Sequence, residues 1–227
     1  MAKKNIQALI FDFDGVLFDS SRLHFDAMQI VLSELEIDLS YETYRQKYFG
    51  VNDLVIFQNL LPKVYSDPVF IRSLLQKKIK IFLEKVHHDL TIPAIPGVLD
   101  FLKNIENMIF SRAIFSNGNG LEVNSILEKL ECGELKSYFQ FVTTIDDVTY
   151  GKPNPEGYLL SAKKLKINPE HCLVIEDSLE GLRAGKSAGM TVIGLATTYE
   201  KKILKPHADF VAESYKDAWE FVSNQTR

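Results

Sequence analysis

Residues 6–13 (IQALIFDF) are a short, nearly continuous apolar run that stops at Asp-Gly. That is the pattern of a buried strand ending in a turn. The next stretch, residues 21–86, reads helical with almost no strand signal. LHFDAMQIVLSEL sets Leu23, Ala27, Ile30, Val31 and Leu35 on one face. DLVIFQNLL and VFIRSLLQKKIKIFLEKV repeat the habit, the second with Phe70, Leu74, Ile81 and Val86 among its apolar positions. Gly50, Pro62 and Pro68 punctuate the stretch, so it reads as a small all-helical unit of about four helices.

From Pro93 the pattern changes. Pro96-Gly97 opens the helix VLDFLKNI. RAIFSN (strand), LEVNSILEKL (helix), FQFVTTI (strand) and PEGYLLSAKKL (helix) follow. CLVIEDS (strand), LEGLRAGKSAG (helix), TVIGLA (strand) and ADFVAES (strand) complete the run. Alternation at these lengths predicts an α/β fold, a doubly wound parallel sheet with helices on both faces. The expected domains are an α/β core from residues 1–20 and 93–227, with a helical insertion at 21–92. Open parallel sheets bind ligands beyond the C-terminal ends of their strands, where strand order reverses. Just past those ends lie Asp12, Asp14 and Gly15; then Ser116, Asn117 and Gly118; then, after a short loop, Lys152; then Glu176, Asp177 and Ser178.

Composition narrows the class. The chain has 227 residues, 46% hydrophobic and 25% charged, as in ordinary globular proteins. Its net charge of −4 spreads as −1 over residues 1–20, 0 over 21–92 and −3 over 93–227, so there is no acidic tail. Nor is there the basic stripe of a nucleic-acid binder. No apolar run approaches the ~20 residues of a membrane helix, and Asp12 breaks the only N-terminal apolar stretch before any signal-peptide pattern forms. A cytoplasmic protein without nucleic-acid or membrane partners, and a monomer, is expected. Cys132 and Cys172 read as packed thiols in a reducing compartment.

Four carboxylates in one crevice repel one another, by about 4 kcal/mol per pair at ~4 Å and an effective dielectric of ~20. Such a cluster calls for a cation, and oxygen donors favour Mg²⁺. Ser116 and Asn117 precede a helix, whose first backbone N–H groups suit an anion. Lys152 adds a positive charge. Together these groups describe a phosphoryl-transfer site, where catalysis is mostly positioning and charge neutralisation. Each residue has a plainer reading. Asp12 and Asp14 also fit turn acids, Ser116 a helix N-cap, Lys152 a solvated loop lysine, and Glu176 and Asp177 first-turn acids. Gly181, Ala184, Gly185 and Ala188 form a small-residue stripe suited to close helix packing. Asp19 suits a hinge. His87, His88 and the lysines Lys77, Lys78 and Lys80 read as solvated.

DFDGVLFDS (12–20), FSNG (115–118), GKPNPEGY (151–158) and VIEDSLEGLRAGKSAGM (174–190) resemble, in order and spacing, the four motifs of the haloacid dehalogenase (HAD) superfamily. The last motif and the helical insertion resemble the phosphoglycolate phosphatase and β-phosphoglucomutase branch, in which the insertion is a cap. The resemblance implies Asp12 as a nucleophile forming an aspartyl-phosphate, and Asp14 as a general acid, then base, that also gives its backbone carbonyl to Mg²⁺. It implies Asp177 as a metal ligand with Glu176 beside it directly or through water, and Ser116 and Lys152 as holders of the phosphoryl group. Asn117, Gly118 and Gly15 would complete the pocket, Gly15 by letting the chain turn sharply. His24 lies at the offset of a substrate-positioning cap histidine of the mutase, and equally fits an amphipathic-helix histidine. Two departures from the mutase bear on substrate. Asp53 follows Gly50 where the mutase has a phosphate-gripping arginine, and Asn117 and Asn119 replace a small residue and a lysine. The expectation is therefore a Mg²⁺-dependent phosphatase of a small phosphate monoester, such as a sugar phosphate or a phosphoglycolate-like acid. The alternatives are a β-phosphoglucomutase-type mutase and, from another class, a phosphoaspartate switch without turnover.

Overall fold

The computed structural model describes residues 5–48, 51–62, 67–88, 94–106, 108 and 111–226. Gly50 and the expected boundary at residues 92 and 93 lie outside the described residues. The chain divides into two compact units, one of residues 1–19 with 91–227 and one of residues 20–90.

The first unit carries a six-stranded parallel sheet in the order β3-β2-β1-β4-β5-β6. The strands are β1 (Ala8–Phe11), β2 (Ser111–Phe115), β3 (Phe141–Thr143), β4 (Cys172–Glu176), β5 (Thr191–Leu195) and β6 (Phe210–Ala212). The central strands β1, β4 and β5 are buried along their whole length, as their continuous apolar runs require. The edge strands β3 and β6 have three residues each, which limits the open ladder presented to other chains. Side chains alternate across the sheet. Ala8, Ile10, Ala113, Phe115 and Val174 share a core with Tyr158 and Ala162 of α7 (Glu156–Leu165) and Leu182 of α8 (Leu179–Ser187). Phe11 points the other way, its ring 6.1 Å from Phe101 of α5 (Val98–Glu106), and Phe101 in turn packs on Tyr215. The chain thus adopts the expected doubly wound α/β class. Strand order reverses between β1 and β4, so the crevice that parallel sheets offer to ligands opens at the ends of those two strands.

The second unit holds α1 (Ser21–Ser33), α2 (Tyr41–Lys47), α3 (Asp53–Leu60) and α4 (Pro68–His88). Its core contains Phe25, Met28, Val31, Leu32, Phe57 and Leu74. The face of α1 differs from the expected one. Ala27 and Val31 are buried, but Phe25, Met28 and Leu32 complete the stripe and Ile30 is 40% exposed. The helix has apolar residues in several phases, and its neighbours choose among them. In α4, Leu74 and Val86 are buried as expected, while Ile71 and Phe82 take the places expected of Phe70 and Ile81.

Two further expectations are corrected. Lys78 is not solvated but fully buried, its Nζ 2.7 Å from Asp53 Oδ2 and 2.6 Å from His24 Nδ1. A buried ammonium persists because those partners replace its water. Cys132 is exposed rather than packed, in a turn where its φ is +56°. Two helices had no counterpart in the sequence reading, α9 (Lys201–Leu204) and α10 (Tyr215–Thr226). The helix α6 (Gly120–Leu127) is capped by Asn119, whose side chain accepts from the Glu122 N–H, so Ser116 is not its cap.

Candidate active site

The site is built at the ends of β1, β2 and β4. Asp12 follows β1 directly, and its N–H donates to the Ile175 carbonyl of β4 at 2.9 Å. The ladder therefore continues one residue past the strand and fixes where the Asp12 side chain leaves it. The chain then turns sharply. Leu17 N–H donates back to the Phe13 carbonyl at 2.8 Å, and Gly15 adopts φ +76°. A Cβ on Gly15 would lie 1.9 Å from Asp177 Oδ2, so this position needs glycine for space as well as for conformation. Asp14 sits half-buried within the turn.

Lys152 joins the strand ends. Its ammonium forms an ion pair with Asp12 Oδ1 and a second with Glu176 Oε1, the latter at 2.6 Å, and its side chain is only 4% exposed. Asn117 brings the lysine there, since Asn117 Oδ1 accepts from the Lys152 N–H at 2.9 Å. The peptide bond from Lys152 to Pro153 is cis. Ser116 is buried at the end of β2, where its N–H donates to the Thr143 carbonyl at 3.0 Å and its Oγ accepts from the Gly118 N–H at 2.9 Å. The first bond ties the strand end to β3, and the second folds a tight turn ahead of α6.

Glu176 is fully buried and its carboxylate is surrounded by donors. Oε1 accepts from Lys152 and from the Tyr158 hydroxyl at 2.9 Å. Oε2 accepts from the Asp177 N–H, the Ser178 N–H and the Ser178 hydroxyl, at 3.0, 3.0 and 2.9 Å. Ser178 also caps α8 by accepting from the Gly181 N–H at 3.1 Å. Asp177 accepts through Oδ2 from the Thr198 hydroxyl.

The electrostatics follow from burial. Loss of water pushes the Asp12 carboxyl up to about 7, Glu176 adds to the rise, and Lys152 opposes it. Burial drives Asp177 well above the usual carboxylate range, with Glu176 and Asp12 adding to the effect. Desolvation alone would lower Lys152, but Asp12 and Glu176 outweigh it and hold the ammonium above its ordinary value. Among the described residues Lys152 is the ammonium paired with these carboxylates, and the crowding drives Asp12 and Asp177 toward their neutral forms. Asp12, Glu176 and Asp177 offer carboxylate oxygens that all lie within 4.8 Å of one another. A buried, all-oxygen, acid-rich set fits a hard divalent cation.

Of the residues singled out from the sequence, the fold brings together Asp12, Lys152, Glu176 and Asp177, with Gly15 against Asp177 and Asn117 behind Lys152. Ser116 and Gly118 shape the turn after β2. His24 belongs to the helical unit, stacked on Phe82 at 4.4 Å and held by Lys78. Burial and Lys78 push its pKa down to about 3, against the pull of Asp53. Sequence reasoning missed Tyr158, Thr197, Thr198 and Tyr215. Tyr158 stood inside a recognised motif, three residues into a helix that packs on the sheet, and that was a usable signal. The Thr197 hydroxyl donates to the Gly15 carbonyl at 2.5 Å, and the Tyr215 hydroxyl to the Val16 carbonyl at 2.8 Å. Nothing local in the sequence marks either contact.

This constellation, at the switch point of a parallel sheet, defines an enzyme of the haloacid dehalogenase type. The pattern of the haloacid dehalogenase-like hydrolases matches residues 9–195, and the chain belongs to that family. A phosphorylated carbohydrates phosphatase of Thermotoga maritima is 31% identical over 188 residues, covering 82% of each chain. A pyrophosphatase PpaX of Oceanobacillus iheyensis is 28% identical over 218 residues, 94% of this chain and 95% of the relative. The solved β-phosphoglucomutase of Clostridium difficile superposes with a TM-score of 0.84 over 97% of both chains at 23% identity, a likeness of fold. The chain is thus an enzyme of a family whose curated relatives include phosphatases. Among the described residues, no helix is long and apolar enough to cross a membrane.

Proposed function

We propose that this enzyme is a Mg²⁺-dependent phosphatase that hydrolyses a small phosphate monoester through an aspartyl-phosphate on Asp12. The observation that carries the reading is the pairing of the buried Asp12 carboxylate with Lys152, which also holds Glu176, beside Asp177 at the switch point. Asp12 is the nucleophile. Its carboxylate oxygen bonds to phosphorus as the bond to the leaving alcohol breaks. Asp14, two residues on in the half-buried turn, gives that alcohol its proton. Asp14 then takes a proton from the water that attacks phosphorus, which releases phosphate and restores Asp12. Lys152 neutralises charge on the transferring group, and Ser116 with the turn N–H groups after it orients the group's oxygens. Asp12, the Asp14 backbone carbonyl and Asp177 would hold the cation. Glu176, with both oxygens already engaged, orients Lys152 and would support the cation from beside Asp177, directly or through water. Bound Mg²⁺ supplies a counter-charge for the phosphoryl oxygens and the nucleophile.

Small phosphorylated sugars or acids are the substrate class, and the Thermotoga relative, a phosphatase of phosphorylated carbohydrates, supports the former. Hydrolysis is favoured over the mutase reaction by Asp53, an acid that Lys78 and His24 hold below its ordinary range against the desolvation that would raise it. It stands where the mutase pattern has a phosphate-gripping arginine. The test is a panel of phosphate monoesters, assayed for free phosphate with and without EDTA. Turnover is expected with Mg²⁺ alone and absent in Asp12→Asn. Turnover that survives either change refutes the mechanism. A stable phosphoenzyme without turnover would instead indicate a switch.

A further inference from the structure

The loop after β5 lies beyond the residues matched by the family pattern, yet it reaches both sides of the switch point. Its two adjacent threonines divide the work. Thr197 donates to the Gly15 carbonyl in the turn after β1. Thr198 donates to Asp177 Oδ2 in the turn after β4. The three-way junction is close. A Cβ on Gly15 would meet Asp177 Oδ2 at 1.9 Å and Thr198 Oγ1 at 3.0 Å. The Asp177 carboxylate therefore lies pressed between a bare glycine backbone and a hydroxyl.

We propose that Thr198 is a positioning residue for the metal site, holding Oδ2 of Asp177 so that the other oxygen of that carboxylate is presented to the cation. The inference rests on the Mg²⁺ reading above. A carboxylate that ligates through one oxygen must have its plane fixed, or it spends its time in orientations that do not bind. Gly15 restricts the plane by contact, and Thr198 selects the rotamer by hydrogen bond. The Thr198 methyl, on a half-buried loop, adds bulk that a serine lacks, but the hydroxyl is the group that acts. Partners of this outer kind typically change metal affinity by about 10–100-fold when removed.

The test is calorimetric titration of Mg²⁺ into the substrate-free full chain, so the readout does not depend on turnover. Thr198→Val, which keeps the shape and removes the hydroxyl, is expected to weaken Mg²⁺ binding about 10–100-fold, and Thr198→Ser to stay within about threefold of wild type. Thr198→Ala, with less bulk, carries the same expectation as Thr198→Val. A purely structural role would lower the metal-free melting temperature of Thr198→Val and Thr198→Ala while leaving their Mg²⁺ affinity unchanged. Unchanged Mg²⁺ affinity in both hydroxyl-free variants overturns the proposal and leaves the phosphatase reading intact. Equal weakening in Thr198→Ser also overturns it. Absence of Mg²⁺ binding by the wild type overturns the metal reading itself, and this inference with it.

Discussion

Gly181→Ala sets helix propensity against the packing of the site. Gly181 lies in the first turn of α8, and alanine in a helix is ordinarily worth about 1 kcal/mol more than glycine. Here the added Cβ would sit 1.7 Å from Glu176 Oε1 and 1.9 Å from its Cδ. A side-chain end can usually swing aside, but Glu176 is fully buried and receives hydrogen bonds from Lys152, Tyr158, Asp177 and Ser178. Moving the carboxylate breaks at least two of these charge-assisted bonds, at about 1.5 kcal/mol each on the low side. The propensity gain offsets about 1 of the resulting 3, so the net loss is about 2 kcal/mol. For a chain of this length that lowers the melting temperature by about 4–8 °C. Thermal melting followed by circular dichroism measures it. Gly120→Ala, at the start of α6, is the control, because its Cβ would meet nothing nearer than 3.4 Å. It should be neutral or stabilising by up to ~1 kcal/mol. A Gly181→Ala protein that melts at or above the wild-type temperature refutes the argument that Glu176 is held in place.

Lys78→Met leaves the Asp53 charge without its main partner. Because the Asp53 side chain is 17% exposed, the cost should fall at the low end for a broken buried pair, about 3 kcal/mol in urea unfolding. Lys78→Met with Asp53→Asn should recover most of it, and a double variant no more stable than the single one sinks the reasoning. His24, pushed down to about 3 in the fold, titrates near 6.5 in an unfolded chain. Between those values the unfolded chain binds more protons, so this group makes stability fall as pH drops from about 6.5 toward 3. His24→Asn should therefore show a flatter loss of stability between about pH 7 and pH 5, whereas parallel profiles contradict the assignment. Cys132 is exposed, while burial of Cys172 pushes its thiol up to about 12. A thiol reagent should label one cysteine of the native protein quickly and the second only on unfolding, and two fast thiols would be inconsistent with the fold.

The sequence by itself determined the types and order of the strands and the chemistry at their ends. A buried parallel strand must be an unbroken apolar run, and its end must be marked by a turn, so Asp12, Ser116, Glu176 and Asp177 were legible as residues just past β1, β2 and β4. Lys152 was legible through its motif. Tertiary structure decided which of several apolar phases α1 buries, because periodicity names a stripe only when one phase dominates, and Phe25 and Ile30 competed. It also decided that Lys78 is buried, since a lysine reads as solvent-facing until Asp53 and His24 arrive from two other helices to receive its protons. The helix α10 escaped notice although Tyr215, Ala218 and Val222 have helical spacing and are all buried. The contacts of Thr197 with Gly15 and of Thr198 with Asp177 were beyond any local pattern. Hydroxyls in a polar loop look alike in sequence, and only the return of β5 beside β4 brings these two to the carbonyl and carboxylate they hold.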